Sequence, residues 1–196
     1  MTIKLLASIL IALIAISTTG ISEAQAKALV VVFSRADENY SVGNITEGNT
    51  MKLAKLIAEK TGADLFEVKP YNKYPADYKK CTEVAQEELR VNARPPILED
   101  KNPEEYDTIF LGYPIWWGDL PMCLYTYLER HDFNGKKIYP FATHEGSGMG
   151  RTESTLRLAL PGAEIGRGLA TRGSDAQKLT PRTVSALESW LKAAGF

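Results

Sequence analysis

The chain has 196 residues and a formal net charge of −1 at pH 7, with 44% hydrophobic and 24% charged residues. That length is ample for one domain with a packed core, or for one domain with a small insertion. The near-neutral charge gives no reason to propose a nucleic acid or an anionic membrane as a partner.

The first 26 residues have the layout of a secretory signal peptide. Lys4 supplies a positive charge, an apolar run extends from Leu5 to Ile16, and Ala24-Gln25-Ala26 forms an A-x-A cleavage site. The apolar run is shorter than the roughly 20 residues that cross a bilayer, and an uncleaved anchor is the alternative. We expect export to the periplasm or the medium, removal of residues 1–26, and one mature domain over residues 27–196 without a membrane span.

Strand and helix patterns alternate along the mature chain. Apolar, β-branched runs predict strands, and apolar residues at helical spacing predict helices. In chain order these are a strand at 28–33, a helix at 49–60, a strand at 63–68, a helix at 81–90, a strand at 108–112, a helix at 121–130, a strand at 137–143, a helix at 150–160, a strand at 164–171 and a helix from Pro181. This order predicts an α/β fold with three layers: a doubly wound, five-stranded parallel sheet of order 2-1-3-4-5 between helices.

A ligand of such a sheet binds beyond the carboxyl ends of the strands, at the switch point between the first and third strands. That rule brings three loops together, at residues 34–50, 113–120 and 144–151. These three loops are therefore where groups that bind a ligand are expected.

The first loop ends in Gly48-Asn49-Thr50 at the start of a helix. Unpaired backbone N–H groups there, with the hydroxyls of Ser34 and Thr50, are suited to a phosphate monoester. An ordinary helix N-cap is the alternative. The chain has neither the P-loop motif of nucleoside triphosphate sites nor the Gly-x-Gly-x-x-Gly dinucleotide motif.

The second loop reads Gly-Tyr-Pro-Ile-Trp-Trp-Gly from residue 112. The adjacent Trp116 and Trp117 offer an aromatic face on which a planar ligand gains about 0.5–1.5 kcal/mol beyond its burial. The alternative is that a tryptophan caps the sheet, and we expect this of one of the two. Gly118 gives the backbone freedom to approach a ring edge.

The third loop reads Thr-His-Glu-Gly-Ser-Gly-Met-Gly from residue 143, and its glycines allow a close approach of backbone to ligand. His144 and Glu145 are candidates for a general acid or base. The interpretation we favour is that they orient the loop and the ligand through hydrogen bonds. Together, the three loops suit a phosphorylated flat heterocycle.

Two cysteines, Cys81 and Cys123, are compatible with a disulfide outside the cytoplasm. We favour two buried thiols in helices, because a single pair without tight spacing is weak evidence for a bridge. The chain has two histidines and no Cys-x-x-Cys, so no metal site is expected.

At the second and third loops the chain resembles the flavodoxin family, through the motifs Gly-Tyr-Pro-x-Trp-Trp-Gly and Thr-His-Glu-Gly-Ser-Gly. The usual Ser/Thr-x-x-Gly-Asn-Thr loop is interrupted: Ser34 keeps its start and Gly48-Asn49-Thr50 keeps its end. Residues 35–47 are interpreted as an insertion, a small hairpin that turns at Gly43-Asn44.

The resemblance implies a flavodoxin-like fold that holds one FMN without a covalent bond. It makes a carbonyl of Trp117 or Gly118 a candidate acceptor for N5 of the flavin. The residues that it assigns to the cofactor are Ser34, Gly48, Asn49 and Thr50 at the phosphate, Pro114, Ile115, Trp116, Trp117 and Gly118 beside the isoalloxazine, and Thr143, His144, Glu145, Gly146, Ser147 and Gly148 on its other side.

Three functions follow from this interpretation. The first is an electron carrier that docks to a redox partner protein. The second is an FMN-dependent reductase of quinones or another small acceptor, whose pocket Trp116, Trp117, His144 and the 35–47 insertion would wall. The third is a binding module that keeps the fold and has lost FMN, since a fold alone does not decide function.

Overall fold

A computed structural model describes residues 27–196, and the predicted signal peptide lies outside the described residues. The strands are β1 (Ala28–Val32), β2 (Asp37–Asn39), β3 (Gly43–Ile45), β4 (Asp64–Glu67), β5 (Thr108–Pro114), β6 (Lys137–His144), β7 (Glu164–Ile165) and β8 (Leu169–Arg172). The helices are α1 (Asn49–Thr61), α2 (Tyr78–Arg90), α3 (Met122–Leu128), α4 (Thr152–Ala159), α5 (Gly173–Lys178) and α6 (Pro181–Ala194).

The main sheet is parallel, with strand order β4-β1-β5-β6-β7 and β8 also beside β6. This confirms the predicted α/β class and the order 2-1-3-4-5. The predicted last strand is divided into β7 and β8, which pair with successive parts of β6. The break falls at Gly166-Arg167-Gly168, where the carbonyl of Arg167 accepts a hydrogen bond from Trp190 Nε1 (2.8 Å) outside the strand ladder.

The interior strand β1, between β4 and β5, is fully buried and its side chains alternate between two cores. Leu29 and Val31 pack in one cluster with residues of α3 and α4, and Val30 and Val32 pack in the other with residues of α1 and α6. Burying an aliphatic side chain of this size contributes about 1.5–3 kcal/mol relative to leaving it exposed. The continuous apolar run of β1 therefore holds both layers of helices to the sheet.

The insertion is a hairpin of β2 and β3, but the predicted turn at Gly43-Asn44 is wrong. Asn39 pairs with Gly43 across the ladder, so the connection is Tyr40-Ser41-Val42. Gly43, with φ +71°, is the left-handed residue that closes a three-residue hairpin loop. The glycine was correctly associated with the hairpin, but it lies at the end of the turn.

Within residues 27–196, no helix is long and apolar enough to cross a membrane, and no cluster of His, Cys, Asp or Glu could hold a metal ion. Cys81 on α2 and Cys123 on α3 are buried free thiols, the interpretation that the sequence favoured. Burial raises the pKa of Cys123 to about 12, so that this thiol is inert at neutral pH.

Candidate functional site

A cavity of about 420 Å³ lies at the carboxyl ends of β5 and β6. Of the residues predicted for the cofactor, those that line it are Asn49, Pro114, Ile115, Trp116, Trp117, Thr143, His144 and Glu145. The predicted residues that do not line it are Ser34, Gly48, Thr50, Gly118, Gly146, Ser147 and Gly148. The 35–47 insertion, which was predicted to wall a reductase pocket, contributes Arg35, Asn39 and Tyr40 to the lining. The lining residues that the sequence reasoning missed are Tyr78, Cys81, Thr82, Ala85 and Gly173.

The start of α1 is closed tightly by the residues before it. Ser34 Oγ accepts a hydrogen bond from the backbone N–H of Met51 (3.0 Å). A Cβ on Gly48 would lie 2.2 Å from that same hydroxyl oxygen. The buried Thr50 hydroxyl lies 2.7 Å from the hydroxyl of Thr143, which ties α1 to the end of β6. These three predicted residues shape the helix N-terminus beside the cavity.

Asn49, the first residue of α1, reaches the cavity itself. Its Oδ1 is buried, and no group among residues 27–196 is hydrogen-bonded to it. A buried acceptor without a donor is costly, by about 1–3 kcal/mol. The cavity therefore offers a ligand one unsatisfied acceptor next to a helix N-terminus.

The two tryptophans both line the cavity but differ in their surroundings. Trp116 packs edge-on against Phe33 and Tyr74, with ring centroids 5.2 and 4.8 Å away, and caps the sheet. Trp117 is 50% exposed, and its Nε1 donates a hydrogen bond to the carbonyl of Thr82 on α2 (2.9 Å). Trp117 thus holds an open aromatic face at the cavity.

The turn that carries Trp117 is a two-residue connection closed by reciprocal backbone hydrogen bonds of Trp116 and Asp119, at 2.9 and 3.0 Å. Trp117 has φ +51° and Gly118 has φ +79°, the pair of left-handed residues that defines a type I′ turn. A bulky side chain in this region costs about 1–2 kcal/mol. Trp117 is therefore held in a strained, left-handed backbone conformation.

The carbonyl of Gly118 is already engaged, because it accepts a hydrogen bond from the backbone N–H of Arg151 (3.0 Å). The two loops are further joined by Arg151 Nε, which donates to the buried Asp119 carboxylate (2.8 Å). A Cβ on Gly150 would lie 2.5 Å from the Gly118 carbonyl oxygen, so this contact requires glycine. Of the two carbonyls proposed for flavin N5, that of Gly118 thus already accepts one hydrogen bond from the protein.

His144 fixes the third loop. Its Nδ1 accepts hydrogen bonds from the backbone N–H groups of Gly146 (2.9 Å) and Gly148 (3.2 Å). These bonds require a neutral ring with its proton on Nε2. Burial and the charge of Arg172 both lower the pKa of His144, which favours the same neutral form. The imidazole positions the loop, the interpretation that the sequence favoured.

Glu145 is likewise bound to the protein, since its Oε1 accepts a hydrogen bond from the backbone N–H of Ser174 (2.9 Å). Gly173 precedes that residue, and a Cβ there would lie 2.3 Å from Asn49 Nδ2 and 3.0 Å from Glu145 Oε1. Gly173 thus lets the start of α5 close one side of the cavity. Gly173 was not predicted as a site residue, because the division of the last strand was not predicted.

Comparison with known proteins agrees with this fold. The family model described as Flavodoxin matches residues 27–187, so the chain belongs to the flavodoxin family. No curated protein matches the chain.

Solved structures with this fold include two proteins described as flavoproteins from Bacteroides. The protein from Bacteroides uniformis has 29% identity and a TM-score of 0.64, over 85% of this chain and 98% of that chain. The one from Bacteroides eggerthii has 28% identity and a TM-score of 0.63, over 79% and 95%. A flavoprotein from Lactobacillus acidophilus, solved in complex with FMN, has 23% identity and a TM-score of 0.58, over 78% and 97%, and bears on the fold.

FMN is the cofactor of this family, and the cavity fits it. The buried Asn49 Oδ1 has no donor within the described part of the chain, residues 27–196, and a hydroxyl or N–H of the cofactor would supply one. The half-exposed Trp117 offers a stacking face, and the α1 N-terminus favours an anion. When bound, FMN supplies the redox chemistry, and the residues of the chain bind it, orient it and limit its contact with water.

Proposed function

We propose that this protein transfers electrons through one non-covalently bound FMN. The observation that carries the proposal is the half-exposed Trp117 beside the cavity, held in a left-handed conformation that its own side chain disfavours. Strain that persists at a ligand site is consistent with selection for the position of the ring. Asn49, with its unsatisfied Oδ1 in the same cavity, supports a polar planar ligand.

The test is an anaerobic reduction of the FMN-loaded protein with dithionite, followed by its visible spectrum. Accumulation of a one-electron-reduced flavin supports a carrier that docks to a redox partner protein. Direct passage to the two-electron form supports an enzyme that reduces a small molecule. Retention of no FMN at micromolar concentrations contradicts both and leaves a binding module without a cofactor.

Reduction of a small acceptor is the second candidate, and the insertion favours it. Residues of the β2–β3 hairpin and of α2 line the cavity together with the flavin loops. A wall of this kind would enclose a small molecule beside the flavin. The net charge of −1 also lacks the strong acidity that would steer a carrier to a basic partner.

The proposal includes export from the cytoplasm, which the N-terminal sequence supports with its charge, apolar run and A-x-A site. Cell fractionation followed by N-terminal sequencing tests it. The expected product is an exported chain that begins at Lys27. A cytoplasmic chain that keeps residues 1–26 would contradict this part of the proposal.

A further inference from the structure

Two tyrosines form a separate wall of the cavity. Tyr40 lies in the hairpin turn and Tyr78 is the first residue of α2, and both line the cavity. Their ring centroids are 6.0 Å apart, with 32° between the ring planes. Because stacked rings need about 4.5 Å or more between centroids, no third ring fits between the two tyrosines. The pair therefore presents one joint aromatic face.

The hydrophobic cores do not include this pair. Tyr40 is 60% exposed and Tyr78 is 37% exposed, and neither belongs to the two buried clusters on the sheet faces. Aromatic side chains of this size usually bury most of their surface in a core or an interface. The two rings are therefore available to a ligand.

Hydrogen bonds hold this wall in place before any ligand arrives. The guanidinium of Arg35, which is 9% exposed, donates to the carbonyls of Pro75 and Ala76, both at 2.7 Å. Glu38 in the hairpin accepts a hydrogen bond from the backbone N–H of Tyr78 (2.9 Å) and donates its own N–H to Ala76 (3.2 Å). A wall fixed in this way loses little conformational entropy when a ligand binds.

The wall adjoins the flavin loop. Cys81, Thr82 and Ala85 on α2 line the cavity together with Tyr78. The hydrogen bond from Trp117 Nε1 to the carbonyl of Thr82 joins this helix to the aromatic face of the second loop. A molecule on the tyrosine wall would thus lie next to a flavin stacked at Trp117.

We propose that the tyrosine wall, defined by Tyr40 and Tyr78, binds the electron acceptor, a planar electron-poor ring of the quinone class. The inference rests on the proposed FMN function and specifies its substrate. Electron-rich phenol faces attract an electron-poor ring. Arg35 Nε, buried on the same wall and without a partner among residues 27–196, is a donor for a ring carbonyl. Once bound and reduced, FMN would supply two electrons and two protons, so that the quinone on the tyrosine wall would become the hydroquinone while the flavin became oxidised.

The test measures binding of duroquinone (tetramethyl-1,4-benzoquinone) to the oxidised, FMN-loaded protein by isothermal titration calorimetry. No electrons flow because both partners are oxidised, and the methyl groups block addition of thiols. We expect Tyr40→Leu and Tyr78→Leu together to weaken binding about tenfold, which equals about 1.4 kcal/mol. Tyr40→Phe keeps the ring and should keep the affinity. The control is Tyr71→Leu, because Tyr71 is 67% exposed and does not line this cavity.

A second probe, cyclohexane-1,4-dione, has the carbonyls without the planar ring and should bind at least about tenfold more weakly than duroquinone. An unchanged duroquinone affinity in the double variant, or no duroquinone binding at all, overturns the inference and leaves the proposed FMN function intact. A loss of FMN affinity in that variant also overturns it, because the tyrosines would then contact the flavin. Failure of the unmodified protein to retain FMN instead refutes the proposed function itself.

Discussion

Two replacements of Trp117 separate the backbone strain at this residue from the contribution of its ring to FMN affinity. Trp117→Gly and Trp117→Ala both remove the ring and its hydrogen bond to Thr82, but Ala must still adopt φ near +51°. The left-handed region costs a non-glycine residue about 1–2 kcal/mol. Glycine avoids that cost but loses about 0.4–1 kcal/mol through the greater freedom of its unfolded chain. The apoprotein with Gly should therefore be more stable than that with Ala by about 0.5–1 kcal/mol.

Urea denaturation of the two apoproteins measures this difference, and FMN titration measures the cost to binding. Both variants should bind FMN about 2- to 12-fold more weakly, the equivalent of one aromatic stacking contact. Trp190→Phe is the control, because Trp190 is buried on α6 and does not line the cavity. Equal stability of the Gly and Ala variants would refute the strain argument, and unchanged FMN affinity would refute stacking on Trp117.

Three further predictions concern residues beside the cavity. Gly48→Ala should destabilise the protein by about 1–3 kcal/mol in urea and weaken FMN binding, because the new Cβ would lie 2.2 Å from Ser34 Oγ. An unchanged stability and an unchanged FMN affinity would refute the tight closure of the α1 N-terminus. Arg35→Met should lower the free energy of unfolding in urea by about 2–3 kcal/mol, because the carbonyls of Pro75 and Ala76 lose their donor. The hairpin should also become sensitive to proteases. A hairpin that still resists proteases would count against Arg35 as its anchor. The pKa of His144 is lowered in the folded protein. As the pH falls below about 6.5, His144 is therefore protonated more readily in the unfolded chain than in the folded one, so the free energy of unfolding should decrease. His144→Asn should remove that pH dependence in urea titrations between pH 5 and 8, and an identical pH profile would show that another group causes it.

The sheet could be predicted from the sequence because its strands are continuous apolar runs. Val30, Val32 and their neighbours are buried on both faces of a parallel sheet, which leaves an unmistakable pattern along the chain. The divided last strand could not be predicted in this way. At the break, the side chains of Trp190 and Glu153, both distant in sequence, bind the backbone of Arg167 and Gly168.

The candidate site was predictable where short motifs carry the chemistry. The two tryptophans lie together in the second loop and His144 lies in the third, both at the expected end of the sheet. The tyrosine wall was not predicted, because Tyr40 and Tyr78 are far apart in sequence and are brought together by tertiary contacts of Arg35 and Glu38. The position of the hairpin turn was also missed, since Gly43 serves equally well within a turn and at its end.

The binding of FMN to residues 27–196 tests the central claim most directly. The protein is mixed with FMN at micromolar concentration, passed through a desalting column, and measured by its visible spectrum and its flavin fluorescence. We predict one FMN per chain with quenched fluorescence, and weaker quenching in Trp117→Gly than in Trp190→Phe. A chain that leaves the column without flavin would contradict the account.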